Sequence, residues 1–275
     1  MPTLPPEQPE PSPARPHEAR RMAESFGADA RRYDQARPGY PDALVARIAA
    51  QSPGPDVLDV GCGTGIAARQ FEAMGCTVLG VEPDTRMADF ARSRGLRVDV
   101  ANFETWQPGD RRFDAVIAAQ SWHWVDPAAG GAQAARVLRP GGRLAIFGHV
   151  YEPPAEVATP FAAAYRRAVP DSPLPAQPAG RSVDLYQTAY AKVADSIRET
   201  GRFDAPEQWR FDWTRSYTRD QWLELLPTTG SLTQLRPDQL DAILNAVADA
   251  IDELGGRFTM HYTTLAVTAL RASAP

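Results

Sequence analysis

Asp59, Gly61, Gly63, Gly65 and Glu82 are the residues whose types and spacing most clearly invite chemistry. In Val57-Leu58-Asp59-Val60-Gly61-Cys62-Gly63-Thr64-Gly65 an apolar run ends in a turn with glycines at alternate positions. Without a Cβ, such a turn lets the backbone pass close against a nucleotide-like ligand. Helix formers follow, Ala67-Ala68-Arg69-Gln70-Phe71, so the ligand would sit at a helix N-terminus whose N–H groups are unpaired. Dinucleotide sites use Gly-x-Gly-x-x-Gly, but here Ile66 stands where the third of those glycines would be. The acid Asp59 beside the turn would repel a pyrophosphate and attract an ammonium group. Glu82 ends the next apolar run, Thr77 to Val81, at about the separation expected of an acceptor for ribose hydroxyls. Together these residues read as a site for adenosine carrying a cationic tail, and an NAD-dependent dehydrogenase is the poorer fit. Cys62 is a small spacer in this turn, since no basic residue flanks it to activate a thiolate.

A second cluster is Gln120-Ser121-Trp122-His123-Trp124, directly after an apolar run from Phe113 to Ala118. Ligands of open α/β sheets bind beyond the carboxyl ends of the strands, which places this run in the cleft. Two tryptophans around a histidine would form an apolar wall with one titratable group, and they would equally pack beneath a covering helix. His149 follows the fifth apolar run and could reach the cleft, His261 lies in mid-strand, and His17 is in the N-terminal tail.

The blocks together carry a resemblance. Val57 to Gly65 resembles the first signature motif of class I S-adenosylmethionine-dependent methyltransferases. Gly80-Val81-Glu82-Pro83-Asp84 resembles their second strand with its ribose-binding acid, and Arg139-Pro140-Gly141-Gly142-Arg143-Leu144 resembles the turn into their fifth strand. Gln120 to Trp124 is similar to the corresponding run of a small-molecule subgroup related to trans-aconitate methyltransferase, where a His-Trp pair lines the acceptor pocket. The resemblance covers residues 27–150 well and is loose beyond.

It implies S-adenosyl-L-methionine as cofactor, bound by Asp59, Gly61, Cys62, Gly63, Gly65, Glu82, Pro83 and Gln120. It implies that Asn102 and Phe103 read the adenine, although Asn102 replaces the commoner aspartate, and that Met87 covers the ring or packs in the core. Tyr33 and Arg37, in a segment like one that folds over the cofactor, would contact the methionine carboxylate; without the resemblance that segment is a surface loop turning at Pro38-Gly39. Trp122 and His123 would be the catalytic pair, His123 acting as base for a hydroxyl or amine, or orienting a carboxylate. The expected reaction is transfer of a methyl group to an O or N atom of a small organic molecule. A non-methylating protein that keeps the cofactor would show the same motifs. A nucleic-acid methyltransferase fits less well, because there is no Asn/Asp-Pro-Pro-aromatic run, no Pro-Cys pair and no basic stripe.

Elements that would position these residues follow from periodicity. Strands are expected at 56–60, 77–81, 96–100, 113–118 and 143–147, with helices between them near 66–74, 85–94 and 131–138. This alternation predicts a Rossmann-like, doubly wound, mostly parallel α/β sheet. Residues 1–16 are proline-dense and expected to be a disordered tail, with a helix from about His17. Residues 17–150 would form the cofactor-binding core with an N-terminal lid helix, and Asp42 would cap a helix to Ala50. Residues 151–204 would be a helical cap insertion, with helices from Thr159 to Ala168 and Ser182 to Glu199. Residues 205–275 would add a strand at 208–213, helices between 218 and 254, and a strand at 258–270; the resemblance makes the last strand antiparallel.

The chain has 275 residues, 34 acidic against 29 basic, giving a net charge of −5. No broad attraction to nucleic acid or anionic lipid is expected. Lys192 is the sole lysine, which excludes lysine chemistry unless it lies in the site. Cys62 and Cys76 form no disulfide framework, and no Cys/His cluster has metal spacing. No apolar run spans a bilayer and no signal-peptide pattern is present, so a cytoplasmic protein is expected.

Overall fold

Gly65 and Gly75 bracket the helix after the first strand, and Asp29, Asp84 and Asp126 cap three others, so that strands and helices alternate along the chain. The computed structural model describes residues 26–170, 182–230 and 232–272. The expected tail over 1–16 and the helix expected from His17 start outside the described residues. A short 3₁₀ turn at Phe26–Asp29 leads into α1 (Ala30–Ala36), where the Asp29 carboxylate accepts from the Arg32 N–H at 2.9 Å. Then come α2 (Asp42–Ala50), β1 (Asp56–Val60), α3 (Ile66–Ala73), β2 (Thr77–Glu82), α4 (Thr85–Ser93), β3 (Arg97–Val100), β4 (Phe113–Ala119), α5 (Pro127–Val137) and β5 (Leu138–Glu152). The remainder is α6 (Ala155–Ala168), α7 (Ser182–Glu199), β6 (Glu207–Thr218), α8 (Arg219–Leu225), α9 (Pro237–Glu253) and β7 (Arg257–Leu270).

The seven strands make one sheet in the order β3-β2-β1-β4-β5-β7-β6. β1 to β5 are parallel, with Leu58 opposite Leu79 on one side and Val116 on the other. β7 runs antiparallel to β5, placing Thr264 opposite His149 and Tyr262 opposite Tyr151, and β6 runs antiparallel to β7. The chain reverses its strand order between β1 and β4, so the crevice beyond their carboxyl ends is the natural ligand site.

Side chains of one face, among them Leu58, Val116, Leu144, Ile146 and Val267, pack under α5 and α7. Those of the other face, among them Val57, Ile117, Ala145 and Phe147, pack with Leu44 and Ile48 of α2 and Phe71 of α3. Each fully buried aliphatic or aromatic side chain contributes roughly 1.5–3 kcal/mol. A third cluster joins α6, α8 and α9 to Tyr217, Phe258 and Met260 at the far ends of β6 and β7.

Several boundaries differ from expectation for local reasons. Asp42 is the first helical residue of α2 and makes no side-chain cap; Pro41 holds the N-cap position with extended backbone. α6 begins at Ala155, so Pro160 lies within it, not in its first turn. β5 continues five residues past Phe147 because the long antiparallel partner β7 keeps it paired as far as Glu152. The segment over 151–204 divides: α6 packs on α9 whereas α7 lies on the sheet beside α5 and β7. Among the described residues no helix is long and apolar enough to cross a membrane.

Candidate active site

The glycine turn is a sequence of left-handed residues. Gly61, Gly63 and Gly65 have φ of +63°, +56° and +85°. L-residues with a Cβ are disfavoured there by about 1–2 kcal/mol. A Cβ on Gly61 would lie 2.6 Å from the Ser121 Cβ, so that glycine is needed for packing. A Cβ on Gly63 would meet nothing within 4 Å, so that glycine faces open space. Cys62 points the other way, with Sγ filling the place a Cβ on Gly80 would take, and burial pushes its thiol well above the usual range.

Two acids flank this turn. The Glu82 carboxylate accepts from the Gly63 N–H and the Asp84 N–H, each at 2.9 Å. Asp59 is fully buried, and neither carboxylate oxygen has a hydrogen-bond partner among the described residues. Burial and then the Glu82 charge raise its pKa to about 8, against a smaller opposing effect of the Ala68 N–H. Burial likewise raises Glu82 to about 6. A buried carboxylate without a partner is costly, and a cationic ligand would offset that cost. Thr64 Oγ1 is buried and unpartnered as well. The acids, the open turn and the chemistry of the donor set fit an S-adenosylmethionine-type cofactor and fit a pyrophosphate poorly.

Beyond the turn lies a cavity of about 80 Å³, reached by Gly63, Ala119 and Gln120 from the sheet and by Tyr33, Arg37 and Tyr40 from the N-terminal segment. Its far wall is aromatic: His149 and Tyr151 of β5 and Tyr262 of β7. Tyr40 stacks on His149 with ring centroids 4.5 Å apart, and Trp213 stacks on Tyr262 at 4.3 Å. Gln120 holds φ +62°, a conformation that a non-glycine residue keeps only when its surroundings impose it. Here the Gln120 N–H donates to the Phe147 carbonyl at 2.7 Å and its Oε1 accepts from the His149 N–H at 2.7 Å.

Hydrogen bonds fix the state of His149. Nε2 lies 3.2 Å from the Gly39 carbonyl, an obligate acceptor, so Nε2 carries the proton. Nδ1 lies 2.9 Å from Thr264 Oγ1, which itself accepts from Trp213 Nε1 at 2.9 Å. Burial, more than the nearby Arg37 charge, lowers the imidazole to about 3, so it is neutral and Thr264 donates to Nδ1. His149 in this form is a donor toward the cavity side and not a base.

The structure brings Tyr33, Arg37, Gly61, Cys62, Gly63 and Gln120 to one cavity, with Asp59 and Glu82 behind it. It does not bring Trp122 or His123 there. The Ser121–Val125 backbone closes a 3₁₀ turn, with Trp124 N–H to Ser121 O at 2.9 Å, that rolls Trp122 into the core against Phe103 and Gly130. His123 is exposed, its ring 4.5 Å from that of Trp124. Phe103 is buried in the core, Asn102 is half-buried after β3, Met87 is buried on α4 and Pro83 is exposed. None of these four lines the cavity. His149 reaches the cavity, as its place after the fifth apolar run allowed, and Tyr151 lies beside it; Tyr40 and Tyr262 were not expected there. Among the described residues no metal-holding cluster exists.

The N-terminal segment is fastened over the cleft at several points. Asp34 pairs with Arg69 at 2.6 Å, and Arg69 donates to the Thr64 carbonyl in the glycine turn at 2.7 Å. Tyr40 exchanges two 2.8 Å hydrogen bonds with the Gln70 amide. Arg37 reaches the Thr228 carbonyl at 2.5 Å, and its guanidinium carbon lies 5.0 Å from the centroid of the Tyr33 ring.

A methyltransferase-domain family model matches residues 58–146. An uncharacterized methyltransferase of Mycobacterium tuberculosis is 40% identical over 134 residues, 46% of this chain and 53% of the relative. The chain thus matches about half the length of that relative. A protein named demethylmenaquinone methyltransferase from a Mycobacterium species is 32% identical over 193 residues, covering 66% of this chain and 79% of the relative. A solved structure provisionally assigned as a type II methyltransferase, from Anaeromyxobacter dehalogenans, superposes with a TM-score of 0.60 at 25% identity, over 86% of this chain and 97% of that one.

Proposed function

The chain belongs to the class I S-adenosylmethionine-dependent methyltransferases, and we propose that it transfers a methyl group to a small organic acceptor, at an O or N atom. The observation that carries this reading is Asp59: a buried carboxylate with two unpartnered oxygens beside a glycine turn that opens onto empty space. Asp59 would hold the cofactor's ammonium group, Glu82 its ribose hydroxyls, and Tyr33 its carboxylate end. Asn102 stands after β3, where the adenine would be read. When bound, S-adenosylmethionine supplies a methyl group already activated on a sulfonium.

The protein's remaining tasks are alignment and exclusion of water. Tyr40, Tyr151 and Tyr262 present aromatic surface around the cavity, which suits a flat acceptor and stabilises positive charge by about 0.5–2 kcal/mol per well-placed ring. The Gln120 amide, fixed by its bond to the His149 N–H, orients the acceptor at the end of β4. His123 takes no part, because it is exposed away from the cavity. The test is formation of S-adenosylhomocysteine from S-adenosylmethionine with a panel of small acceptors. Cofactor binding without product for any O, N or C acceptor would favour a protein that binds the cofactor without methylating.

A further inference from the structure

We propose that the chain pairs with a second copy of itself along the free edge of β6, antiparallel and two-fold about Phe211, so that the two seven-stranded sheets run on as one. Such a pair forms whatever the methyl acceptor is.

β6 closes one side of the sheet and β3 the other. Proteins commonly blunt such edges with short strands, bulges, proline or charge. β3 is blunted by shortness, with four residues. β6 has twelve, contains no proline or glycine, and keeps one unbroken register with β7 from Glu207–Thr268 to Thr218–Arg257. Charge is the one device left to it.

The direction of its free main-chain groups follows from that register. The Arg219 N–H donates to the Gly256 carbonyl at 3.0 Å, one pair beyond Thr218 and Arg257. Along an antiparallel ladder, opposed residues that exchange hydrogen bonds alternate with those that do not. Odd-numbered residues of β6 therefore bond to β7. Gln208, Arg210, Asp212, Thr214 and Ser216 aim their N–H and C=O groups at the edge, and all five are exposed. Among the described residues no hydrogen bond reaches those main-chain groups. Two such edges satisfy each other only when these residues oppose one another, which places the two-fold axis at a residue and not between residues.

Charge then selects the residue. β6 holds four charged side chains, Glu207, Arg210, Asp212 and Arg215. About Phe211, Arg210 stands opposite the partner's Asp212 and Glu207 opposite the partner's Arg215, each pair occurring twice. An axis one residue earlier sets Arg210 against the partner's Arg210, and one residue later sets Asp212 against the partner's Asp212. Opposite charges across a strand pair are stabilising and like charges are not. The side chains are free to engage. Arg210 Nε lies 3.0 Å from both carboxylate oxygens of Asp212 in its own strand, with 48% and 59% of the two side chains exposed. Arg215 stacks on Tyr217 and has no carboxylate partner among the described residues, and Glu207 meets Arg47 only at 3.8 Å. In the same register the half-buried Phe211 meets its copy and the half-buried Trp213 meets the partner's Trp209. Gln208 with the partner's Thr214, and Arg210 with the partner's Asp212, each twice, exchange about eight main-chain hydrogen bonds. The contact is isologous and closes on itself.

The test is sedimentation equilibrium of the full chain between about 1 and 100 μM at about 0.1 M salt. A species of twice the 30.0 kDa chain mass is expected. Arg210→Asp and Asp212→Arg each set like charges opposite one another at both places, and each is expected to raise the dimer Kd more than about 30-fold. Mixed in equal amounts, the two variants regain opposite charges at both places and are expected to form a heterodimer with a Kd within about 5-fold of wild type. Thr214→Pro removes an edge-facing N–H and leaves the ladder to β7 intact, so it is expected to weaken the dimer more than about 10-fold. A wild-type monomer at about 100 μM leaves the edge to another occupant and overturns the pairing. A dimer whose Kd none of the variants moves uses another surface and overturns it too, as does a mixture of the charge variants that stays monomeric. The wild-type mass and Thr214→Pro decide even if a charge variant folds poorly.

Discussion

Replacing Asp59 by Asn should make the empty protein more stable and the cofactor bind far more weakly. Asp59 is fully buried with both oxygens unpartnered, and its pKa is raised from 3.8 to about 8. An acid whose folded pKa lies above its unfolded one is protonated by folding. Its cost is absent below about pH 4, grows as pH rises, and is complete above about pH 8. At pH 7 the carboxyl has gained roughly three units of proton affinity on folding, at about 1.4 kcal/mol each, so its burial costs on the order of 4 kcal/mol. Asn keeps the volume and has no charge to neutralise, so the apo variant should recover part of that amount. A gain of 1 kcal/mol raises Tm by about 2–4 °C in a chain of this size. Differential scanning calorimetry between about pH 5 and 8 should show wild-type Tm falling with rising pH more steeply than that of the variant. S-adenosylhomocysteine should stabilise the wild type and do little for Asp59→Asn. A destabilised apo variant that keeps the full cofactor shift would refute the assignment of Asp59 as the partner of the ligand's ammonium group.

Other residues separate in the same way. Gly63→Ala should fold, with a loss of about 1–2 kcal/mol for its left-handed backbone, and lower cofactor affinity more than 10-fold by isothermal calorimetry, because its Cβ enters open ligand space; unchanged affinity would move the ligand elsewhere. Trp122→Ala should lower stability by about 3–5 kcal/mol in denaturant melts, whereas His123→Ala should stay within about 0.5 kcal/mol of wild type and keep its turnover. A large fall in turnover for His123→Ala would restore it to the mechanism. In nitrogen-15 NMR, His149 should remain neutral and Nε2-protonated between about pH 5 and 8, and Thr264→Val should mix its tautomers; an Nδ1-protonated or cationic wild-type ring would contradict the hydrogen-bond chain.

The cofactor half of the site was legible because it is local. The glycine spacing, Asp59 and Glu82 lie within two strand–turn units, and their residue types state their backbone and charge requirements directly. The parallel part of the sheet was legible from alternation, whereas the antiparallel direction of β7 was implied only by the family resemblance. The acceptor half was not, because it is assembled from β5, β7, α8 and the N-terminal strap, which meet only in three dimensions. His149 was legible as a residue that could reach the cleft, but ending β5 at Phe147 hid the pleat that carries His149 and Tyr151 onto one face. Trp122-His123-Trp124 left two readings open, a cleft wall or packing beneath a helix, because residue types do not show how the chain turns after a strand; here one 3₁₀ turn directs Trp122 to the core and His123 to the surface.

The central claim, that the turn from Gly61 to Gly65 with Asp59 and Glu82 holds S-adenosylmethionine, is tested most directly by isothermal titration of the wild-type chain. The account predicts saturable one-site binding of S-adenosylmethionine and S-adenosylhomocysteine and none of NAD. Absence of binding heat for both sulfur compounds at about 1 mM, or tighter binding of NAD, would contradict it.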